Sequence, residues 1–152
     1  MTTLRQVRNL FNNDSIIRKG NKSSNEPIIK LINLVNNDNA IIDCEPNNSG
    51  TALNRGSVVE CLVKMLAYKT NKVSKAYNET QADLIVNGVR YEIKYSSAKG
   101  YAHYNPNQDL TNLIFVDASG IYLTNGNEIV LDKCGKHIKT INKVNAKVLV
   151  RF

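Results

Sequence analysis

Two carboxylates and a lysine fall close together in the segment QADLIVNGVRYEIKYSS, Gln81 to Ser97: Asp83, Glu92 and Lys94. Carboxylate oxygens are the ligands that hard divalent cations such as Mg²⁺ prefer, and a bound cation lowers the pKa of a coordinated water. A lysine's pKa moves readily with its surroundings, so one placed beside such a site can orient or help deprotonate that water and offset phosphate charge. The chemistry requires the three side chains to share a face. Asn87-Gly88 is a two-residue turn signal, because both central positions of a type I′ turn take φ > 0. With Val86 and Val89 flanking the turn, Asp83 lies directly opposite Glu92. Side chains alternate along a strand. Leu84, Val86, Val89, Tyr91 and Ile93 therefore make an apolar face, and Asp83, Ile85, Arg90, Glu92 and Lys94 make the other. Opposed side chains have Cβ atoms about 4.5–5.5 Å apart, and like charges at that spacing are destabilising. A divalent cation between the acids removes the penalty. The plainer alternative is a solvated face in which Glu92 pairs with Arg90 or Lys94.

Other elements must hold this hairpin. LNRGSVVECLVKMLAYKT has the strongest helical pattern, with Val58, Val59, Leu62, Val63, Leu66 and Ala67 as an apolar stripe and Glu60 and Lys64 off it. Ser57 is a candidate N-cap with Glu60 completing a capping box, and Glu60 can equally pair with Lys64 at i,i+4. EPIIKLINLVNN reads as a second helix with Pro27 near its first turn, and residues 3–12 as a short basic one. Strands are expected from Ala40 to Cys44, in KVSKAY, in NLIFVDASGIYLTN on either side of Ala118–Gly120, in GNEIVLDK and in AKVLVRF. YSSAKGYAHYNPNQD reads as a polar, Tyr-rich loop, and KCGKHIK as a basic hairpin or loop. The order predicts an α/β (α+β) domain with a mixed central β-sheet flanked by helices. We expect a single domain over residues 1–152, in which 1–53 form a helical N-terminal part and 54–152 a catalytic core.

The 152-residue chain is 42 % hydrophobic and 22 % charged, a globular composition with mass for a real core. Its net charge of +7 favours a polyanionic partner, with nucleic acid ahead of an anionic membrane surface. Cys44, Cys61 and Cys134 are widely spaced, show no zinc-ligand pattern, and read as reduced thiols of a cytoplasmic protein. No apolar run approaches the roughly 18 residues of a membrane span, and the start MTTLRQVRNLFNND lacks the uninterrupted apolar stretch of a signal peptide.

The string of Asp83, eight intervening residues, Glu92, any residue and Lys94 resembles the signature of the PD-(D/E)XK nuclease superfamily. So does its setting, a hairpin preceded by a helix that bears an acid, Glu60. Ala82 stands where that family usually carries proline. The resemblance covers roughly Arg55 to Lys94, with a weaker echo in Leu113 to Leu123. It implies a restriction-endonuclease-like core and a Mg²⁺-dependent DNA endonuclease, with Mn²⁺ able to substitute. Asp83, Glu92, the carbonyl of Ile93 and Glu60, directly or through water, would surround the cation, and the cut would leave phosphate on the 5′ side. The Gly56-x-x-x-Glu60 helix is similar to that of Holliday junction resolvases in this superfamily. Two symmetric cuts across a junction imply a homodimer. A compact restriction or nicking enzyme is the close competitor.

Candidate DNA contacts are Arg55, Ser96, Ser97, Lys99, Tyr101 and His103. Hydroxyls and lysine suit phosphate and sugar, and Tyr95, Tyr101 and Tyr104 can stack on unpaired bases. His103 is also a candidate accessory base. Lys133, Lys136, Lys139, Lys143 and Lys147 form a basic set that can follow a phosphate backbone. Each of these also has a bland reading as polar surface. A non-catalytic nucleic-acid-binding module on the same fold and a basic RNA-associated protein are the competing functions. The latter leaves the opposed carboxylates unexplained.

Overall fold

The computed structural model describes residues 2–5, 8, 22–37, 41–42, 55–70, 73–74, 82–97 and 100–152. Helix α1 spans Lys22–Val35 and α2 spans Arg55–Thr70. Strands are β1 Thr2–Thr3, β2 Ile41–Ile42, β3 Val73–Ser74, β4 Leu84–Val86, β5 Val89–Tyr95 and β6 Ala102–His103. They continue as β7 Leu113–Asp117, β8 Gly120–Thr124, β9 Ile129–Leu131, β10 His137–Ile141 and β11 Lys147–Arg151. The mixed α/β expectation holds. A six-stranded sheet runs β11-β8-β7-β5-β4-β3, in which β5 and β7 are parallel and the other pairs antiparallel. A second, three-stranded sheet runs β6-β10-β9, and β1 pairs with β2.

α1 buries Ile28, Leu31, Ile32 and Val35, an i, i+3, i+4, i+7 stripe. It starts earlier than expected, so Pro27 is buried inside the helix rather than near its first turn. Asn36 ends it at φ 41°, its amide donating to the Ile32 carbonyl, because Asn tolerates the left-handed conformation. α2 buries Cys61 and Met65 as well as Val58, Val59, Leu62 and Val63, more than one stripe, since it packs against both α1 and β5. Its start at Arg55 places Ser57 inside the helix, which removes the capping-box alternative.

β7 alternates between two cores. Ile114 and Val116 join the helices, Leu84 and Ile93 in the first core. Leu113 and Phe115 join Tyr122, Leu110, Ile138 and Ile141 in the second, beneath the small sheet. A strand apolar on both faces is what a central position demands. One expected loop contains a strand, Ala102–His103, which pairs as β6 with β10, and of the two readings of KCGKHIK the hairpin holds, since β9 and β10 pair antiparallel around it. Their short apolar content acquires meaning only when Ile138 finds the second core. The proposed strand from Ala40 to Cys44 is seen as Ile41–Ile42, and Cys44 lies outside the described residues. Of residues 3–12, Leu4, Arg5 and Arg8 are helical, Thr3 is in β1, and the others lie outside the described residues. Cys61 is buried and Cys134 exposed. No helix among the described residues is long and apolar enough to cross a membrane.

Candidate active site

The expected hairpin register is present: Leu84 faces Tyr91, Ile85 faces Arg90 and Val86 faces Val89. Asn87 and Gly88 take φ of 51° and 81°, as the type I′ turn requires. β5 then changes partner. Val89 to Tyr91 pair with β4, whereas Glu92 to Tyr95 pair in parallel with Leu113 to Val116 of β7. The amides of Glu92 and Ser96 donate to the Asn112 and Val116 carbonyls at 3.0 Å each. Ile93, between them in strand alternation, directs its polar groups to the opposite edge, where β4 has ended.

Asp83 occupies that edge. Its amide still donates to the Tyr91 carbonyl at 3.1 Å, but its carboxylate turns inward and Oδ2 accepts the Ile93 amide at 2.9 Å. The side chain thus replaces the missing strand as the acceptor for Ile93. The N–H and C=O of one residue project toward the same neighbouring strand, so the Ile93 carbonyl faces this edge too.

Glu92 is 8 % exposed. Register places Glu92 and Lys94 on the face shared with Leu113 and Phe115, while Ile93 and Tyr95 share the helix-covered face. Burial, and then the proximity and charge of Asp83, push the Glu92 carboxyl up to about 8. The Lys94 charge acts in the opposite direction. Burial, and then the charge of Asp83, also raise the Glu60 carboxyl, against a hydrogen bond from Lys64 and the charge of Lys94. Glu60 Oε1 accepts from Lys64 Nζ at 2.7 Å, the i,i+4 pair that its spacing allows. The four expected residues therefore lie within electrostatic reach of one another. Asp83 and Glu92 influence each other most strongly, whereas Glu60 is held in a pair with Lys64.

Among the described residues no three acid, histidine or cysteine side chains already converge as a metal-holding group. The donor chemistry still suits a hard cation. Two neighbouring carboxylates offer hard oxygen ligands, and the Ile93 carbonyl faces the same edge.

One side chain has no counterpart in the sequence reading. Gln108 Nε2 donates to Glu92 Oε2 at 2.9 Å. Its position follows from the turn Asn105-Pro106-Asn107-Gln108, where the Asn105 carbonyl accepts the Gln108 amide at 3.0 Å and Asn105 Oδ1 accepts the Asn107 amide at 3.0 Å. Asn-Pro is a readable turn signal. That this turn reaches Glu92 is not readable locally.

The expected DNA contacts divide. Tyr101 and His103 are exposed, and His103 faces His137 across β6 and β10 with ring centroids 6.1 Å apart. Ser96 is buried and donates from Oγ to the Lys139 carbonyl at 2.8 Å, so it ties β5 to β10 instead of presenting a hydroxyl to phosphate. Ser97 closes a short loop, with its amide and Oγ both donating to the Gly100 carbonyl. Arg55 is half-buried at the start of α2, its charge felt by Tyr95. Tyr95 packs on the helical core, and burial pushes its hydroxyl up to about 12, so it is not a surface for bases. Lys99 lies outside the described residues. Lys133, Lys136, Lys139, Lys143 and Lys147 are exposed, and Lys143 Nζ is tied to Asp117 Oδ2 at 2.6 Å.

Comparison of the chain with protein-family models, with curated proteins and with solved structures found no significant match.

Proposed function

We propose that this chain is a divalent-cation-dependent DNA endonuclease with a restriction-endonuclease-like core. The observation that carries the reading is the neighbouring placement of Asp83, which accepts the Ile93 amide, and Glu92, with Lys94 on the Glu92 face, where β5 exchanges β4 for β7. Strand exchange opens the sheet edge, so carboxylate oxygens and the Ile93 carbonyl become available together. Asp83, Glu92 and Ile93 would hold the cation, with Glu60 engaging through water or after leaving Lys64. Bound there, Mg²⁺ or Mn²⁺ supplies Lewis acidity to the phosphodiester and acidifies water. Lys94 offsets phosphate charge and orients the attacking water from the same face as Glu92. Gln108 holds the Glu92 carboxyl in place from the far side.

Nicking of supercoiled plasmid, and cutting of junction, duplex and single-stranded oligonucleotides, test the reading with Mg²⁺, with EDTA and with Asp83→Asn. Cleavage that requires both metal and Asp83 is the expected result. Cleavage that persists in either absence, or none on any substrate, overturns it. Within the proposal, a junction-cutting enzyme acting as a homodimer and a compact restriction or nicking enzyme are separated by which substrate is cut. A non-catalytic binding module is the second reading. It is favoured by one observation: Asp83 serves the Ile93 amide, a structural task that needs no metal. DNA binding that EDTA leaves unchanged, without cutting, selects it.

A further inference from the structure

Gln108 is also a wall of an open groove of about 550 Å³, which runs past Tyr104, Leu110, Asn125, Asn127 and Ile129. This lies within the roughly 300–1,000 Å³ of small-molecule sites. The lining side chains are all uncharged, in a chain whose net charge is +7. A groove that followed a phosphate backbone would present Lys or Arg. This one presents amides, each with a donor and an acceptor, as the edges of nucleobases do. Tyr104 adds an aromatic ring, supported from behind by the second core, and Leu110 and Ile129 add apolar surface.

The walls are held in place. The Gly126 amide donates to the Leu110 carbonyl at 2.8 Å, and the Asn127 amide to Asn125 Oδ1 at 2.9 Å. A Cβ on Gly126 would come within 3.2 Å of Leu110 Cβ, so the two strands of wall are in close contact. One end of the groove abuts the acid pair, because the Gln108 amide that lines it donates to Glu92.

We infer that this groove receives one unpaired nucleobase from the nucleotide next to the scissile phosphate. A base within a duplex is stacked and has its pairing edge occupied, so only an unpaired or extruded one can enter. The inference rests on the nuclease reading and narrows it: the substrate carries an unpaired nucleotide at the cut, as a flap, bulge or single strand does. Tyr104 stacks on the base, and Gln108, Asn125 and Asn127 meet its edge.

The test uses the full chain and two readouts. In the first, flap and single-stranded oligonucleotides are cut after an abasic residue replaces each nucleotide near the scissile bond in turn. One abasic position is expected to slow the parent on the order of tenfold, the scale of one base–aromatic stack. Tyr104→Ala and Asn127→Ala should each bring the ratio of intact to abasic rates near one. Asn127 is exposed, so its variant remains informative even where truncating Tyr104 unfolds the chain. In the second readout, Asp83→Asn protein binds the same strands with 2-aminopurine at that position. Quenching that both groove substitutions abolish is expected. Cutting with no sensitive abasic position, or a fully paired duplex cut as fast as the flap, overturns the groove and leaves the nuclease standing. Quenching that depends on Tyr104 and Asn127 without cleavage of any substrate keeps the groove and removes the nuclease. Absence of both removes both.

Discussion

Asp83 has two tasks that a pair of substitutions can separate. Asp83→Ala removes the proposed metal ligand and also strands the Ile93 amide at the sheet edge. An unsatisfied buried donor costs about 1–3 kcal/mol, so this variant should lose cleavage, and should lose stability by that amount in urea unfolding. Asp83→Asn retains a carbonyl acceptor and should lose cleavage while keeping most of the stability. If the two variants unfold alike, the amide is not what Asp83 serves. Glu92 makes a prediction about pH. Its carboxyl titrates near 4.5 when unconstrained and about 8 in the folded chain. Over that interval the folded state keeps a proton that the unfolded state has released. Stability of the cation-free protein is therefore full below about pH 4.5 and declines as pH rises through about 8. Melting temperatures in EDTA should fall across this window, and Glu92→Gln, which cannot titrate, should flatten the decline. Lys94→Ala should abolish cutting while sparing most DNA affinity; a variant as active as the parent removes Lys94 from the mechanism.

Among the elements, β5 decides the site, and its two halves are not equally legible in the sequence. The Asn87-Gly88 turn and the pairing of β4 with β5 are local, and the spacing of Val86, Val89 and the acids predicts them. The parallel pairing of Glu92 to Tyr95 with β7 is not predicted, because it joins segments separated by the whole Ser96–Asn112 connection and leaves no mark on the local pattern. That exchange turns two merely opposed acids into a pair at an open edge. It also explains why Asp83 leaves the ladder, since its carboxylate is needed where the strand partner stops. A close backbone approach elsewhere gives a test of the sheet. A Cβ on Gly120 would lie 2.1 Å from the Val150 carbonyl oxygen of β11. Gly120→Ala must push the β8–β11 pair apart and should cost about 3 kcal/mol or more, seen as an earlier urea midpoint. Gly88→Ala meets no atom and only strains φ; a cost of about 1–2 kcal/mol is expected.

At the scale of the molecule, the net charge of +7 would favour the proposed encounter with DNA, and its parts are unequal. Lys136 and Lys139 sit exposed on the turn before β10 and on β10 itself. Lys143 is tethered to Asp117 and Ser119 and lies over the Tyr122 ring. Replacing Lys136 and Lys139 together with alanine should lower the slope of log affinity against log salt by nearly 2, about 0.9 for each phosphate that is no longer neutralised. Lys143→Ala should leave that slope unchanged. Anisotropy titrations at several salt concentrations measure both, and an unaltered slope in the double variant removes β10 from the proposed DNA-facing surface.

Residue types and short-range spacing were enough to predict the hairpin register, to place Glu92 and Lys94 on one face of it, and to separate its apolar side from its polar one. Turn chemistry and strand alternation act over a few residues, so they are written in adjacent letters. The pairing of β5 with β7, the capture of the Ile93 amide by Asp83, the approach of Gln108 and the neutral groove beyond it needed the folded chain. Each brings together groups from distant segments, and such meetings depend on how two cores pack on opposite faces of one sheet.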